Sequence, residues 1–406
     1  MTKFRLAHLG LVMAAIGFTA AAPIVGLSPV AYAADTVRAE VGKPLQEAQK
    51  LAQAGKNKEA LAKLKEADAV GGKTPNEIYM IERTRASAAA AAGDNDAAAK
   101  AFEAVINSGK LSAAEAPKFT QALAGIYYRA KDYPKAIIWI QRSLKDGDNP
   151  QMRELLVQTY YISGKYAEAA KELQSSHANS ESSLQMLANI QLKQNDKAGY
   201  VQTLEKLAGS YPKTSYWADL LNRVSGKPGF SSTLSLDVLR LRLANGLLSK
   251  PGEYMEMSQL ALQAGNPAEA LKVIDQGYKK GVLGVGSDAA RHQRLKDLAV
   301  KTAAESEKTA AAQEAELTKN KDADGLSNLG FGMVTAGKVD KGLDLMTKAA
   351  KMDDAKHPEE LKLHLGIAQA QAGKKPAALA TLKTVKGTDG AADLARYWTL
   401  QINHPM

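Results

Sequence analysis

Six histidines are the residues most able to bind a metal or move a proton: His8, His177, His292, His357, His364 and His404. His357 and His364 lie seven apart and could share one helical face. Helical zinc pairs more often stand at i, i+4 with a third ligand, and Pro358 is expected to start a helix just after His357. Surface histidines, and no metal site, are therefore expected. Gly284-Val285-Gly286-Ser287-Asp288-Ala289 fits the form of a dinucleotide loop, but such a loop must follow a buried strand. Here a helical pattern ending at Lys279-Lys280 precedes it, so an interhairpin loop is expected. The chain has no G-x-x-x-x-G-K-[ST], G-x-S-x-G or H-E-x-x-H sequence, no cysteine for a thiol nucleophile or disulfide, and no acidic pair that stands out for general acid–base work. No catalytic residue and no cofactor is assigned.

The elements that would position any site are legible in a repeat. Ala54-Gly55-Lys56-Asn57, Ala92-Gly93-Asp94-Asn95, Ser163-Gly164-Lys165-Tyr166 and Ala264-Gly265-Asn266-Pro267 share one frame. The turns at Lys131, Gly337 and Gly373 fit it too, and Asn195 marks a looser copy. In each, glycine or its substitute suits a left-handed helix cap. A small residue follows five positions later, except at Tyr200. An apolar residue stands four further on: Leu64, Phe102, Ile140, Leu173, Leu204, Ile274, Met346 and Leu382. That i, i+4 spacing places both on one helical face. Successive turns lie 31 to 38 residues apart, except for gaps of 70 and 72. Each gap is expected to hide one degenerate hairpin. The first would use 216–224 and 235–244; the second would use 287–301 and an alanine-rich helix near Gln313.

With a period near 34 residues, the chain resembles the tetratricopeptide repeat (TPR) superfamily, and in particular exported bacterial TPR proteins of unassigned role. Leu365-Gly366 with Ala378 and Leu382 carries the family pattern, as does Leu329-Gly330 with Gly342 and Met346. Leu123, Tyr127, Ala136 and Ile140 match in the third unit, Leu156, Tyr160, Ala169 and Leu173 in the fourth, and Leu187, Leu204 and Pro212 in the fifth. The first two units keep the turn but lose the first-helix aromatic. The resemblance runs from about residue 40 to 390. It implies an all-α, TPR-like αα solenoid: a right-handed superhelix of about ten helical hairpins, with ligands meeting its concave face. In that frame Gln121, Tyr128, Gln158, Tyr161, Gln185 and Asn189 face the groove. Amides can pair with an extended peptide backbone and tyrosines add flat area with a polar tip. Packing of Tyr128 and Tyr161 against the neighbouring hairpin is the alternative. The equivalent positions near the C-terminus are apolar, Phe331, Val334, Leu363 and Ile367, and call for a cover from the chain's own tail or from a partner.

Lys3 and Arg5, the uncharged run Leu9 to Ala22, and Ala31-Tyr32-Ala33 read as a cleavable secretory signal. The apolar run is shorter than the roughly 20 residues needed to span a bilayer. The expected organisation is a signal peptide at 1–33 and TPR-like arrays at 34–225 and 226–400. Gly226-Lys227-Pro228-Gly229 between the arrays is either a long surface loop or a hinge. The formal charge of +10 is scattered among acids, and the mean hydropathy is −0.27. With no basic stripe, a nucleic-acid partner is not expected. The expected function is a periplasmic scaffold that binds a protein or peptide partner, with no membrane span after signal cleavage. The alternatives are a structural subunit of a larger cell-envelope complex and, third, a cell-wall-directed enzyme.

Overall fold

The computed structural model describes residues 37–176 and 179–406. The signal-sequence expectation for 1–33 and His8 and His177 lie outside the described residues. The described residues fall into two compact units, 37–176 and 179–406. Twenty α-helices and no strand occur among the described residues.

In the first unit the helices are α1 (Ala39–Gln53), α2 (Asn57–Asp68), α3 (Pro75–Ala92), α4 (Asn95–Asn107), α5 (Ala116–Arg129), α6 (Tyr133–Asp146), α7 (Pro150–Ile162) and α8 (Tyr166–Ser175). They pair as four successive hairpins. Helices with substantial mutual contact are adjacent in order or one apart, as expected of a repeat array in which each hairpin leans only on its neighbours.

The second unit holds α9 (Glu181–Lys193), α10 (Lys197–Ser210), α11 (Thr214–Ser225), α12 (Ser235–Ala244), α13 (Pro251–Gln263), α14 (Pro267–Lys279), α15 (Ala289–Lys319), α16 (Ala323–Thr335), α17 (Val339–Ala349), α18 (Pro358–Gln371), α19 (Lys375–Leu382) and α20 (Ala391–Asn403). Five hairpins are formed, with α15 and α20 as single helices. The hairpin expected in the first long gap is present as α11 and α12. The one expected in the second gap is not: residues 289–319 form one continuous helix of 31 residues. No glycine or proline interrupts them, and their alanine, glutamate, lysine and glutamine content favours helix throughout.

The repeat frame accounts for the hairpin geometry. All eight turn residues have positive φ, including Lys131 at 60° and Asn195 at 57°. The small residues five positions on are buried against the first helix, with Ala60, Ala98, Ala136, Ala169, Ala270 and Ala378 each 0% exposed. Gly330 and Gly342 carry this furthest. A Cβ on Gly330 would stand 2.7 Å from the Gly342 carbonyl oxygen, so α16 and α17 touch backbone to backbone. Tyr200 replaces the small residue in the looser copy and reaches past it, donating from its hydroxyl to Asp219 at 2.6 Å.

The second unit has contacts that a nearest-neighbour array lacks. Helix α20 packs on α10 and α12 as well as on α18 and α19. Leu394, Tyr397 and Trp398 of α20 join one buried cluster with Leu204, Trp217, Leu220, Leu234, Phe331, Val334, Leu363 and Ile367. The apolar positions near the C-terminus are thus buried within the unit, in a cluster that the last helix shares. Arg396 pairs with Glu205 at 3.0 Å, Lys227 with Asp393 at 2.8 Å, and the Ser231 amide donates to the Asp389 carbonyl at 2.9 Å. Gly226-Lys227-Pro228-Gly229, where two arrays were expected to meet, therefore lies inside the second unit and is tied to the start of α20. The indole N–H groups of Trp217 and Trp398 are buried without a partner among the described residues. Each costs about 1–3 kcal/mol, less than the roughly 4–6 kcal/mol from burying some 150–250 Å² of ring at about 25 cal/mol per Å². Apolar area is what closes this unit.

Candidate functional site

In the first unit, Tyr128 on α5 and Tyr161 on α7 occupy the same repeat position, three residues before the turn. Each is half-buried and meets a second tyrosine across its own turn. Tyr128 and Tyr133 lie edge to face at 6.0 Å between centroids, and Tyr161 and Tyr166 at 5.6 Å. Each pair thus lies within one hairpin. Partial burial raises both phenol pKa values, helped by the partner tyrosine, so both rings stay neutral. Gln121 lies on the face of α5 that carries Tyr128, two turns earlier, and makes no side-chain hydrogen bond among the described residues. Gln158 lies deeper than the sequence frame places it. It is 7% exposed and donates at 3.5 Å to Glu154, which is exposed. The open polar position on α7 is therefore Glu154.

Gln185 and Asn189 belong to the second unit. Gln185 is exposed and donates to the Tyr216 hydroxyl at 2.6 Å and to Glu181 at 3.3 Å. Asn189 is half-buried with no side-chain hydrogen bond among the described residues. The six residues expected to form one run are thus a tyrosine-pair face with Gln121 in one unit and an amide pair on α9 in the other.

A second constellation escaped the sequence frame. Asp237 and Arg240 on α12 and Glu269 on α14 form a buried network in which Arg240 Nη1 donates to Asp237 at 2.8 Å, and Nε and Nη2 donate to Glu269 at 2.7 and 2.6 Å. The Phe331 ring of α16 lies 4.2 Å from the guanidinium carbon. His364 Nε2 of α18 meets the other Asp237 oxygen at 3.0 Å. Burial alone would push the Asp237 carboxyl up, but the charges of His364 and Arg240 outweigh it and hold the pKa at about 2. Asp237 and Glu269 raise that of Arg240 against its own desolvation. His364 is therefore not a surface residue. Nor is His292, which is 3% exposed and accepts from the Gly284 amide at 3.2 Å. The local signal available was Asp237 and Arg240 alternating with leucine and valine from Leu236 to Leu241, where charge must find a partner. Gly284 to Asp288 lies in the connection between α14 and α15, Ala289 opens α15, and no strand precedes them among the described residues.

Among the described residues, no group of three or more His, Asp or Glu is placed to hold a metal ion, and no helix is long and apolar enough to cross a membrane.

Helical hairpins repeated with a left-handed turn, a small residue and an apolar anchor define an αα-hairpin repeat protein. The tetratricopeptide repeat family model matches residues 83–150, spanning α3 to α6. Over those residues the chain carries tetratricopeptide repeats. Solved structures similar to it include a tetratricopeptide repeat protein from Parabacteroides merdae (11% identity, 79% of this chain and 98% of that one, TM-score 0.29). Others are the P58(IPK) TPR domain (13% identity, 89% and 98%, TM-score 0.23) and yeast Tom70 (13% identity, 89% and 94%, TM-score 0.24). No curated protein matches the sequence. Stacked hairpins of this kind present extended surfaces to other proteins, which makes the fold that of a protein-interaction scaffold.

Proposed function

We propose that the protein is an exported, periplasmic scaffold that holds a protein or peptide partner against the first-helix face of hairpins α5/α6 and α7/α8. The repeated tyrosine pair carries this reading. Tyr128–Tyr133 and Tyr161–Tyr166 hold two rings half-exposed at equivalent positions, stiffened by edge-to-face contact. Rings restrained in this way lose little conformational freedom on binding and offer both apolar area and a hydroxyl. Gln121 and Glu154 add polar groups along the same helices. The basic, apolar and small-residue sequence of 1–33 supports export. The apolar positions that would favour a subunit of a larger envelope complex are already buried within the second unit, which favours the scaffold.

Tyr128→Ala/Tyr161→Ala should reduce capture of envelope proteins by the purified chain at least about tenfold, with its circular dichroism and melting temperature preserved. Unchanged capture by the folded variant would reject the face. N-terminal sequencing of the cell-derived protein tests export, which predicts a chain starting at Ala34 and is refuted by one starting at Met1.

A further inference from the structure

Of the 31 residues of α15, only His292, Leu295 and Ala299 are buried, all in its first third. Beyond Ala299 every residue of the helix is half-buried or exposed. Helices in water draw most of their stability from a buried face, so a helix this long leaves a large surface to be used. Its charges fall into two sets. Those on the side facing α14 and α17 are matched: Lys296 with Asp275 at 2.8 Å, Glu307 with Lys338 at 2.9 Å and Glu314 with Lys341 at 2.7 Å. On another side Arg291, Arg294, Leu298, Lys301, Glu305 and Glu316 fall on one exposed stripe, because steps of three and four residues keep to one helical face. Thr309 and Ala312 fill it between the two acids. Leu298 is 52% exposed. None of the five charges has an ion-pair partner among the described residues, although Lys301 and Glu305 stand one turn apart.

The stripe is divided by sign. Three cations occupy its first half and two anions its second, while Asp297 and Lys308 stand further round the helix. This order opposes the helix macrodipole, which favours anions at the N-terminus and cations at the C-terminus: the first turn holds Arg291 and no acid. Stability of the lone helix therefore does not account for it. A twofold axis does. When two copies of α15 lie antiparallel, the basic half of each meets the acidic half of the other, whereas a parallel pair sets like against like. With Arg291 against Glu316 of the second copy, Leu298 falls beside Thr309, Thr302 beside Glu305 and Lys319 beside Asp288, and symmetry repeats each contact. The paired length is roughly 39 Å. Two helices meeting over it bury on the order of 1,000 Å², the lower limit of a specific interface.

We propose that the protein forms a twofold dimer through antiparallel pairing of α15, with the basic half of each helix against the acidic half of the other. An interface of this size and charge gives a weak, salt-sensitive dimer. It is separate from the tyrosine face, and either could fail without the other.

Sedimentation equilibrium of the full chain at low and high salt tests this. At low salt the mass should rise from one chain to two in the micromolar range, and high salt should raise the dissociation constant at least about tenfold. Arg291→Glu/Arg294→Glu makes both ends of the stripe acidic, and Glu305→Lys/Glu316→Lys makes both ends basic. Each variant alone should dimerise at least about tenfold more weakly, with its circular dichroism preserved because all four side chains are exposed. An equimolar mixture of the two should regain the parent's association. The variant with all four changes, which exchanges the two halves, should dimerise by itself. Tyr128→Ala/Tyr161→Ala should dimerise as the parent does. The proposal is overturned if the chain stays monomeric up to about 100 μM at low salt, which would leave the stripe to a different partner. It is also overturned if either folded reversal variant dimerises as the parent does, or if the mixture or the four-site variant stays monomeric.

Discussion

The two units use one repeat frame to different ends. In the first, hairpins α1/α2 to α7/α8 touch only near neighbours in the chain. In the second, α20 returns to pack on α10 and α12, bringing together residues as far apart as Glu205 and Arg396, separated by 191 positions. A nearest-neighbour array is stabilised approximately as a sum of hairpins and their interfaces, so damage stays local. A body closed by distant contacts shares its stability across all of them. The turn glycines and small-residue anchors are equivalent in both units, so the difference comes from the helix that ends the second. That helix places Leu394, Tyr397 and Trp398 in the same buried cluster as Phe331, Val334, Leu363 and Ile367.

Removing α20 is the most severe way to break that contrast. Deletion of residues 390–406 uncovers the largest cluster of the second unit. Hydrogen exchange on the whole chain should show protection lost from α9 to α19 together, with α1 to α8 unchanged. Loss confined to α18 and α19 would show the second unit to be as modular as the first. Next in size is Arg240→Met, which leaves the Asp237 and Glu269 carboxylates buried without their guanidinium. Taking one partner from a buried network costs about 3–5 kcal/mol. Denaturant unfolding followed by exchange should place that loss across the second unit. Arg38→Ala in the first unit removes the partner of Glu77, a carboxylate that is 0% exposed, and its effect should stop at α1 to α3.

Most of the hairpin architecture was legible because its code is local. A left-handed turn, a small residue and an apolar anchor fall within ten residues, and all eight copies bury their anchors. What was not legible depends on distance or on the lack of a signal. Residues 287–319 contain no breaker, yet the length of the gap suggested a hairpin; α15 shows that period arithmetic cannot create a turn where the residues favour helix. The packing of α20 pairs faces from opposite ends of a unit, beyond the reach of any periodicity. The same holds for Asp237, Glu269 and His364, which lie on three helices. Gln158 was misplaced for a finer reason: a one-residue step around a helix decides whether an amide meets solvent or the adjacent turn.

Acid separates the units more gently. Both Glu77 and Asp237 have pKa values held at about 2, the first chiefly by its hydrogen bond from Arg38, the second by His364 and Arg240 against burial. A carboxyl with a depressed folded pKa contributes stability above its unfolded value and loses it as the pH falls through the folded one. Both contributions should therefore be complete near pH 5 and gone near pH 1, with about 2 kcal/mol lost for the fully buried Asp237. In exchange measurements over that range, loss at Glu77 should loosen α1 to α3 alone, while loss at Asp237 should lower the protection of the whole second unit. Equal spread in both would remove the distinction.

The smallest effect compares two turns, one from each unit. Lys131 and Asn195 hold positive φ where other copies use glycine. The left-handed conformation costs an ordinary L-residue about 1–2 kcal/mol, while glycine adds roughly 0.4–1 kcal/mol of unfolded-chain entropy to be lost. Lys131→Gly should therefore stabilise by about 0.5–1 kcal/mol on balance. Asparagine tolerates this conformation through local hydrogen bonding, so Asn195→Gly should come out near neutral. The gain at Lys131 should appear only as slower exchange in α5, α6 and their immediate neighbours, because nothing in the first unit carries it further. A stabilisation spread evenly from α1 to α8 would mean that the first unit, too, is held by more than its neighbouring hairpins.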